Sequence, residues 1–254
     1  MTPMQKTAWI ARASTIAHIK RIDATIARIA SAGRGYAVSV SWGKDSVVML
    51  DLAVKALGHV VAIHGRYSPN EELSDIPTVR DAVLKKLGNQ VIYEEVTVWG
   101  DWEVYERAGR FFLTAETTAE KSILRQYKAE FVAAIEGTAS SHGARGMMIG
   151  TAAHESYARR MNVAVRGDHY QTRRKLPTLL PLARWDADDV IAYHLGNNLP
   201  WLHVYDVADD PRRARSEFAF ACGAGEKTRR HGGWDEWASA YPELWRKWQK
   251  RWGI

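Results

Sequence analysis

The stretch Ser41-Trp42-Gly43-Lys44-Asp45-Ser46 gathers two hydroxyls, a glycine, a cation and a carboxylate into six residues. It lies between an apolar run, Tyr36–Val40, and an apolar-periodic segment, Ser46–Leu57. It therefore reads as the turn from a buried strand into a helix. Such a turn presents backbone N–H groups with no intrahelical partner, and the helix dipole adds partial positive charge there. Together they make an anion site suited to phosphate. Gly43 lets the backbone approach the anion, Lys44 adds a charge, and Ser41 and Ser46 offer hydroxyl donors. Asp45 would cap the helix, orient a donor or hold a metal ion. The pattern is neither G-x-x-x-x-G-K-[ST] nor G-x-G-x-x-G.

Other chemistry is more dispersed. Cys222 is the only cysteine. An isolated cysteine is commonly a small buried hydrophobe. This one has Gly223, Gly225, Lys227, Arg229 and Arg230 nearby, and positive neighbours favour the nucleophilic thiolate. Arg159, Arg160, Arg166, Arg173, Arg174 and Lys175 form a basic run with one acid, Asp168. It reads as a solvated face or as an anion-binding flap, with Arg166, Arg173 and Lys175 as a second anion site. The histidines show no H-E-x-x-H spacing; His64 and Gly65 close the second strand beside the expected site.

The elements that must position these groups follow a βα rhythm. Thr2–Ala32 is predicted as one helix, with Ile16, Ile19, Ile22, Ile26 and Ile29 on one stripe and Gly33 and Gly35 ending it. Strands are predicted at Tyr36–Val40, His59–His64, Gln90–Val96 and Gly146–Gly150, with a short fifth at Leu179–Leu182. Helices alternate with them: Ser46–Leu57, Ser74–Leu87 capped by Ser74, Lys121–Ser140, and a last one capped by Asp186. Trp99–Glu120 reads as an irregular excursion. Trp234, Trp237, Tyr241, Trp245, Trp248 and Trp252 form a helical aromatic seam that Pro242 divides. The expected fold is α/β, an open, mostly parallel five-stranded sheet with helices on both faces. The expected units are an N-terminal helix (1–34), a nucleotide-binding domain (35–202) and a C-terminal helical extension (203–254). Ligands of such sheets sit beyond the C-terminal strand ends, at the switch point. That groups Ser41–Ser46 with His64, Gly65, Gly150 and Thr151.

The chain has 254 residues, 46% apolar and 25% charged, and a net charge of +6. The balance is that of a globular protein with an anionic partner, a nucleotide or a nucleic acid. One cysteine excludes an intrachain disulfide and a cysteine-ligated iron–sulfur or zinc site, and it fits a reducing compartment. No apolar run approaches the ~20 residues that span a bilayer, and no signal pattern opens the chain. A cytoplasmic protein without membrane contact is expected.

The turn resembles the S-G-G-x-D-S pyrophosphate-binding loop (PP-loop) of the adenine nucleotide α-hydrolase superfamily. "VSVSWGKDSVVML" (Val38–Leu50) is most similar to the version in phosphoadenylyl-sulfate (PAPS) reductases. "GTAAHESYARR" resembles that family's G-x-R-x-x-E-S-x-x-R element through Gly150, Glu155, Ser156 and Arg159. "PLARWDADDVIAYHLGNNLPW" resembles its N-P-L-x-x-W-x-x-x-D-V-W-x-Y-I block through Pro181, Leu182, Trp185, Asp189, Val190 and Tyr193. Trp42 replaces the loop's first glycine, which calls for ordinary φ and room for an indole. Ala152 replaces an arginine. Cys222-Gly223 keeps part of E-C-G-x-H without the glutamate or histidine.

The resemblance implies an enzyme that binds PAPS, APS or ATP on Ser41–Ser46, with Arg159 on a phosphate or sulfate. The first reading is sulfonucleotide reduction by a Cys222 thiolate, with thioredoxin or glutaredoxin as reductant. The alternative is an ATP pyrophosphatase that adenylates an acceptor, with Mg²⁺ held partly by Asp45. A third is a non-catalytic nucleotide- or nucleic-acid-binding module. No tightly bound cofactor and no iron–sulfur cluster are expected, and oligomeric state stays open.

Overall fold

The computed structural model describes residues 1–111, 117–171, 176–213 and 233–254. Among them, six strands form one sheet: β1 (Tyr36–Ser39), β2 (Val60–Arg66), β3 (Val91–Thr97), β4 (Gly146–Ile149), β5 (His169–Tyr170) and β6 (Thr178–Leu179). Their order is β3-β2-β1-β4-β6-β5. All neighbours pair in parallel except β5, which runs antiparallel to β6. The α/β expectation holds, and the strand count is corrected from five to six. The added strand has two residues, too few to show a period of two.

Alternate residues of a strand point to opposite faces, and here each face has its own core. Val38, Val40, Ala62 and Met148 pack with α3 (Lys44–Leu57) and α2 (Ile16–Ala32). Ala37, Ile63 and Met147 pack against Ile135 and Ala139 of α6 (Thr118–Ser141). Among the described residues no helix is long and apolar enough to cross a membrane.

The single N-terminal helix expected over Thr2–Ala32 is two: α1 (Pro3–Ala13) and α2. Thr15 is extended at φ −73° and its hydroxyl accepts the His18 N–H, which starts a new helix. The isoleucine stripe falls wholly within α2. Ile29 is buried and Ile22 and Ile26 pack on the core, while Ile16 and Ile19 face outward. These helices are fastened to α8 (Ala187–Gly196) through one buried carboxylate. Asp189 receives Arg12 Nη2 at 2.8 Å, lies 3.3 Å from His18 Nδ1, and also receives Arg21 Nη1. Its backbone N–H donates to Asp186 Oδ1 at 2.7 Å in a reciprocal capping box.

The expected excursion at Trp99–Glu120 contains a helix, α5 (Asp101–Ala108). The tail helices Gly233–Ala240 and Pro242–Trp252, divided at Pro242 as expected, lay their aromatic seam on it. Trp102 meets Trp248 edge-on at 5.1 Å, and Trp248 Nε1 donates to Asn70 O. Beneath α5, half-buried Glu71 accepts the Trp102 N–H at 3.1 Å. Burial, reinforced by the charges of Asp101 and Glu103, raises the Glu71 pKa to about 8. In the unfolded chain the carboxyl ionises near 4.5. Between these values the unfolded state has lost a proton that the folded state keeps, so stability falls as pH rises through that window. Glu71→Gln preserves the shape and removes the titration. Its stability should change less between pH 5 and 8 than wild type, by about 2–4 kcal/mol, in urea melts at each pH. Parallel curves for the two proteins would contradict this.

Candidate nucleotide site at the switch point

β1 and β4 are neighbours whose connections leave in opposite directions, so the switch-point crevice lies at their C-terminal ends. Two turns meet there. A Cβ on Gly150, after β4, would stand 3.1 Å from the Asp45 carbonyl. Glycine is thus what lets the β4 turn touch the start of α3.

Gly43 begins α3 without a side-chain cap, so no N-cap side chain takes up the leading amides of this fourteen-residue helix. The Ser46 hydroxyl donates to Gly43 O at 2.9 Å and accepts the Ser41 N–H at 3.2 Å. Ser46 therefore holds the turn closed. Ser41 is exposed at its mouth.

Lys44 is 1% exposed, with Nζ 2.8 Å from Asp45 Oδ2 and 5.5 Å from the centre of the Tyr205 ring. Burial depresses its pKa, but Asp45, Tyr205 and Glu155 together outweigh that and raise it, so the ammonium stays charged. Asp45 thus orients the cation; its Oδ1 is buried with no hydrogen-bond partner.

Trp42 corrects the expectation of ordinary φ. It sits at φ +59°, the left-handed region that glycine favours. Its indole is fully buried, edge-on to His64 at 6.1 Å and to Tyr93 at 5.5 Å. Both lie on the β2–β3 side, so the indole leaves the β1–β4 crevice clear. Trp42→Gly relieves roughly 1–2 kcal/mol of left-handed strain and loses a buried indole worth about 3–5 kcal/mol. The expected net loss is about 2–3 kcal/mol in urea unfolding; a stabilised variant would show that the strain dominates.

His64 is buried, with Nδ1 2.9 Å from Val40 O and Nε2 3.1 Å from Glu72 Oε1. It ties β1 to the β2–α4 connection, α4 being Ile76–Leu87. Gly65 leaves room for α6: a Cβ would lie 3.2 Å from Ile135 and Phe131. In the β4 element, Glu155 accepts the Ala152 N–H at 2.8 Å and pairs with Arg159. Ser156 caps α7 (Tyr157–Arg166) by accepting the Arg159 N–H. Arg159 remains 39% exposed, and Thr151 follows with its N–H on Ile149 O. Arg166 lines a cavity of about 220 Å³ together with Ser39, Ile149 and Tyr170. Arg173, Lys175 and Cys222 lie outside the described residues.

Two residues near Lys44 carried no advance signal. His194, buried and kept neutral by desolvation, donates Nε2–H to Lys44 O at 2.8 Å. Tyr205 of α9 (Val204–Val207) covers the ammonium. Both come from the C-terminal third of the chain, and only the folded packing brings them to α3.

A family model described as phosphoadenosine phosphosulfate reductase domain matches residues 35–209. A comparison with curated protein sequences finds no match. Among solved structures, the U34-tRNA thiolase NcsA from Methanococcus maripaludis, with its [4Fe-4S] cluster, aligns over 92% of this chain and 80% of that one. Its TM-score is 0.51 at 14% identity. PAPS reductase from Candida auris, as a phosphate complex, aligns over 68% and 77%, with TM-score 0.43 and 14% identity.

The thiolase corrects the expectation that set iron–sulfur clusters aside, because a protein of this fold carries one. The described residues of this chain, however, bring together no group of three or more His, Cys, Asp or Glu side chains fit to hold a metal ion. By the family match over residues 35–209, this chain belongs to the phosphoadenosine phosphosulfate reductase domain family.

Proposed function

We propose that this protein binds an adenine nucleotide at the uncapped start of α3 and reduces a sulfonucleotide, PAPS or APS, to sulfite. The observation that carries the reading is a buried, charged Lys44 beside helix-start amides without a side-chain cap at the β1–β4 switch point, within the family-matched residues. Phosphate oxygens would take the amides and exposed Ser41, with Arg159 swinging from Glu155 to a sulfate or phosphate oxygen. The cavity beside Ser39 and Ile149 would receive part of the nucleoside. Residues 35–202 would form the nucleotide-binding unit, with 1–34 and 203–254 packed as extensions.

In the chemical step the Cys222 thiolate attacks the sulfonate sulfur. A sulfur–sulfur bond forms as the sulfur–oxygen bond breaks, and the nucleotide leaves with that electron pair on its phosphate oxygen. Lys44 and Arg159 stabilise the departing charge. A dithiol protein, thioredoxin or glutaredoxin, then attacks the Cys222 sulfur and expels sulfite. Its second thiol resolves the mixed disulfide, restoring Cys222 and leaving the partner oxidised. The test is sulfite release from PAPS with thioredoxin, which Cys222→Ser should abolish. Full activity in that variant would overturn the mechanism.

One observation favours a second reading: Cys222-Gly223 lacks the glutamate and histidine that flank the family's catalytic cysteine. In that reading the same anion site holds the phosphates of ATP, which is split at its α-phosphate to adenylate an acceptor. Pyrophosphate release from ATP without sulfite release from PAPS would select it.

A further inference from the structure

Outside the crevice, cations gather between α2 and the loop that precedes α8. A cleft of about 710 Å³ runs there, lined among the described residues by Lys20, Arg21, Arg28 and Arg184 and by one acid, Asp168. Arg28 donates to Asp168 at 2.8 Å, and Arg21 is held by Asp189. Lys20 and Arg184 are exposed; Arg28, with Arg184 acting through space, holds the Asp168 carboxyl below its ordinary value. Lys20 and Arg28 share one face of α2, eight residues and therefore about 12 Å apart, with Ala24 between them. That length matches a short run of consecutive phosphates. The opposite wall is stitched to the candidate site: Ala153 N–H donates to Ala183 O at 3.1 Å, and His154 Nδ1 lies 2.9 Å from Trp185 O.

We propose that this cleft binds the phosphodiester backbone of a single nucleic-acid strand, and so delivers nucleic acid beside the β4 turn. A row of cations on one wall and Arg184 on the other suits a line of phosphates better than one compact anion. The Trp185 ring is buried and offers no stacking platform, so contacts fall on the backbone and binding is indifferent to sequence. The proposal does not depend on which reaction the crevice performs.

The experiment is fluorescence anisotropy of a labelled twelve-nucleotide strand, DNA and RNA, titrated with the full chain from 50 to 300 mM salt. Two phosphate contacts, from Lys20 and Arg184, predict a slope of log K against log salt near −1.4, about −0.7 per contact. Lys20→Ala with Arg184→Ala removes two contacts. The slope should rise by about 1.4 and affinity at 0.1 M salt fall about 25-fold. Asp168→Asn removes the opposing charge and should tighten binding about 5-fold, a gain that damage to the fold would not produce. No saturable binding by the wild type at 50 mM salt overturns the proposal. So do isotherms that coincide for all three proteins.

Discussion

Asp189→Asn should cost the folded chain about 3 kcal/mol, at the low end of what removal of one partner costs a buried ion pair. The side chain is 2% exposed and collects Arg12, Arg21 and His18 while completing the cap of α8. Asparagine keeps an oxygen for the cap but takes the anion from Arg21 and from a buried imidazole, and leaves Arg12 with Asp186 alone. The guanidiniums are 36% and 38% exposed, so water recovers part of their charge, which sets the estimate below the fully buried limit. Burial alone would push the Asp189 carboxyl up, but hydrogen bonds from His18 and Arg12 outweigh it and hold the group well below the usual carboxylate range. A depressed folded value means that this stability is present above the unfolded value of 3.8 and lost as pH falls below it. Urea midpoints of wild type and variant should differ by a constant amount between pH 5 and 8 and converge below about pH 4. A gap under about 1 kcal/mol at neutral pH would mean that the helices are held by apolar packing alone.

Why this residue matters was only half visible in the chain. Trp185, Asp189, Val190 and Tyr193 stand out as a block, yet in the fold all four are buried anchors. Trp185 donates to Thr25 on α2, and Tyr193 donates to Asp51 on α3. Periodicity showed which segments bury a face, so the βα core and the tail seam were legible. It did not show which element lies opposite, so the Arg12–Asp189 link, 177 residues apart, left no mark. The same limit hid His194 and Tyr205 from the Lys44 environment. Local conflicts were hidden for another reason: Ser14 and Thr15 are weak breakers between two helix-forming segments, and only the Thr15 cap shows that the break wins. Trp42 is the opposite case. Its side chain argued against left-handed backbone, and burial of the whole indole outweighed that preference.

Lys44→Met should remove nucleotide-dependent chemistry by about 10²–10³-fold, the effect of losing one preorganised charge or donor in a water-excluded site. The ammonium sits at 1% exposure, where a cation acts on a neighbouring phosphate with little screening. It is aimed by a single strong contact, Asp45 Oδ2 at 2.8 Å, and backed by the Tyr205 ring. The single variant confounds function with folding, because Asp45 would be left as a buried carboxylate with neither oxygen paired. Adding Asp45→Asn removes that stranded charge. The double variant should recover most of the melting temperature lost by Lys44→Met and still show no thermal shift with PAPS or ATP, where wild type is stabilised according to affinity. Lys44→Arg should not rescue binding, because the fork of a guanidinium does not fit a slot that already encloses a lysine. A Lys44→Met, Asp45→Asn protein that still gains stability from either nucleotide would show that the amides at the start of α3 hold the phosphates without the lysine. The charge at position 44 would then belong to the packing of Tyr205 and Glu155 rather than to the ligand.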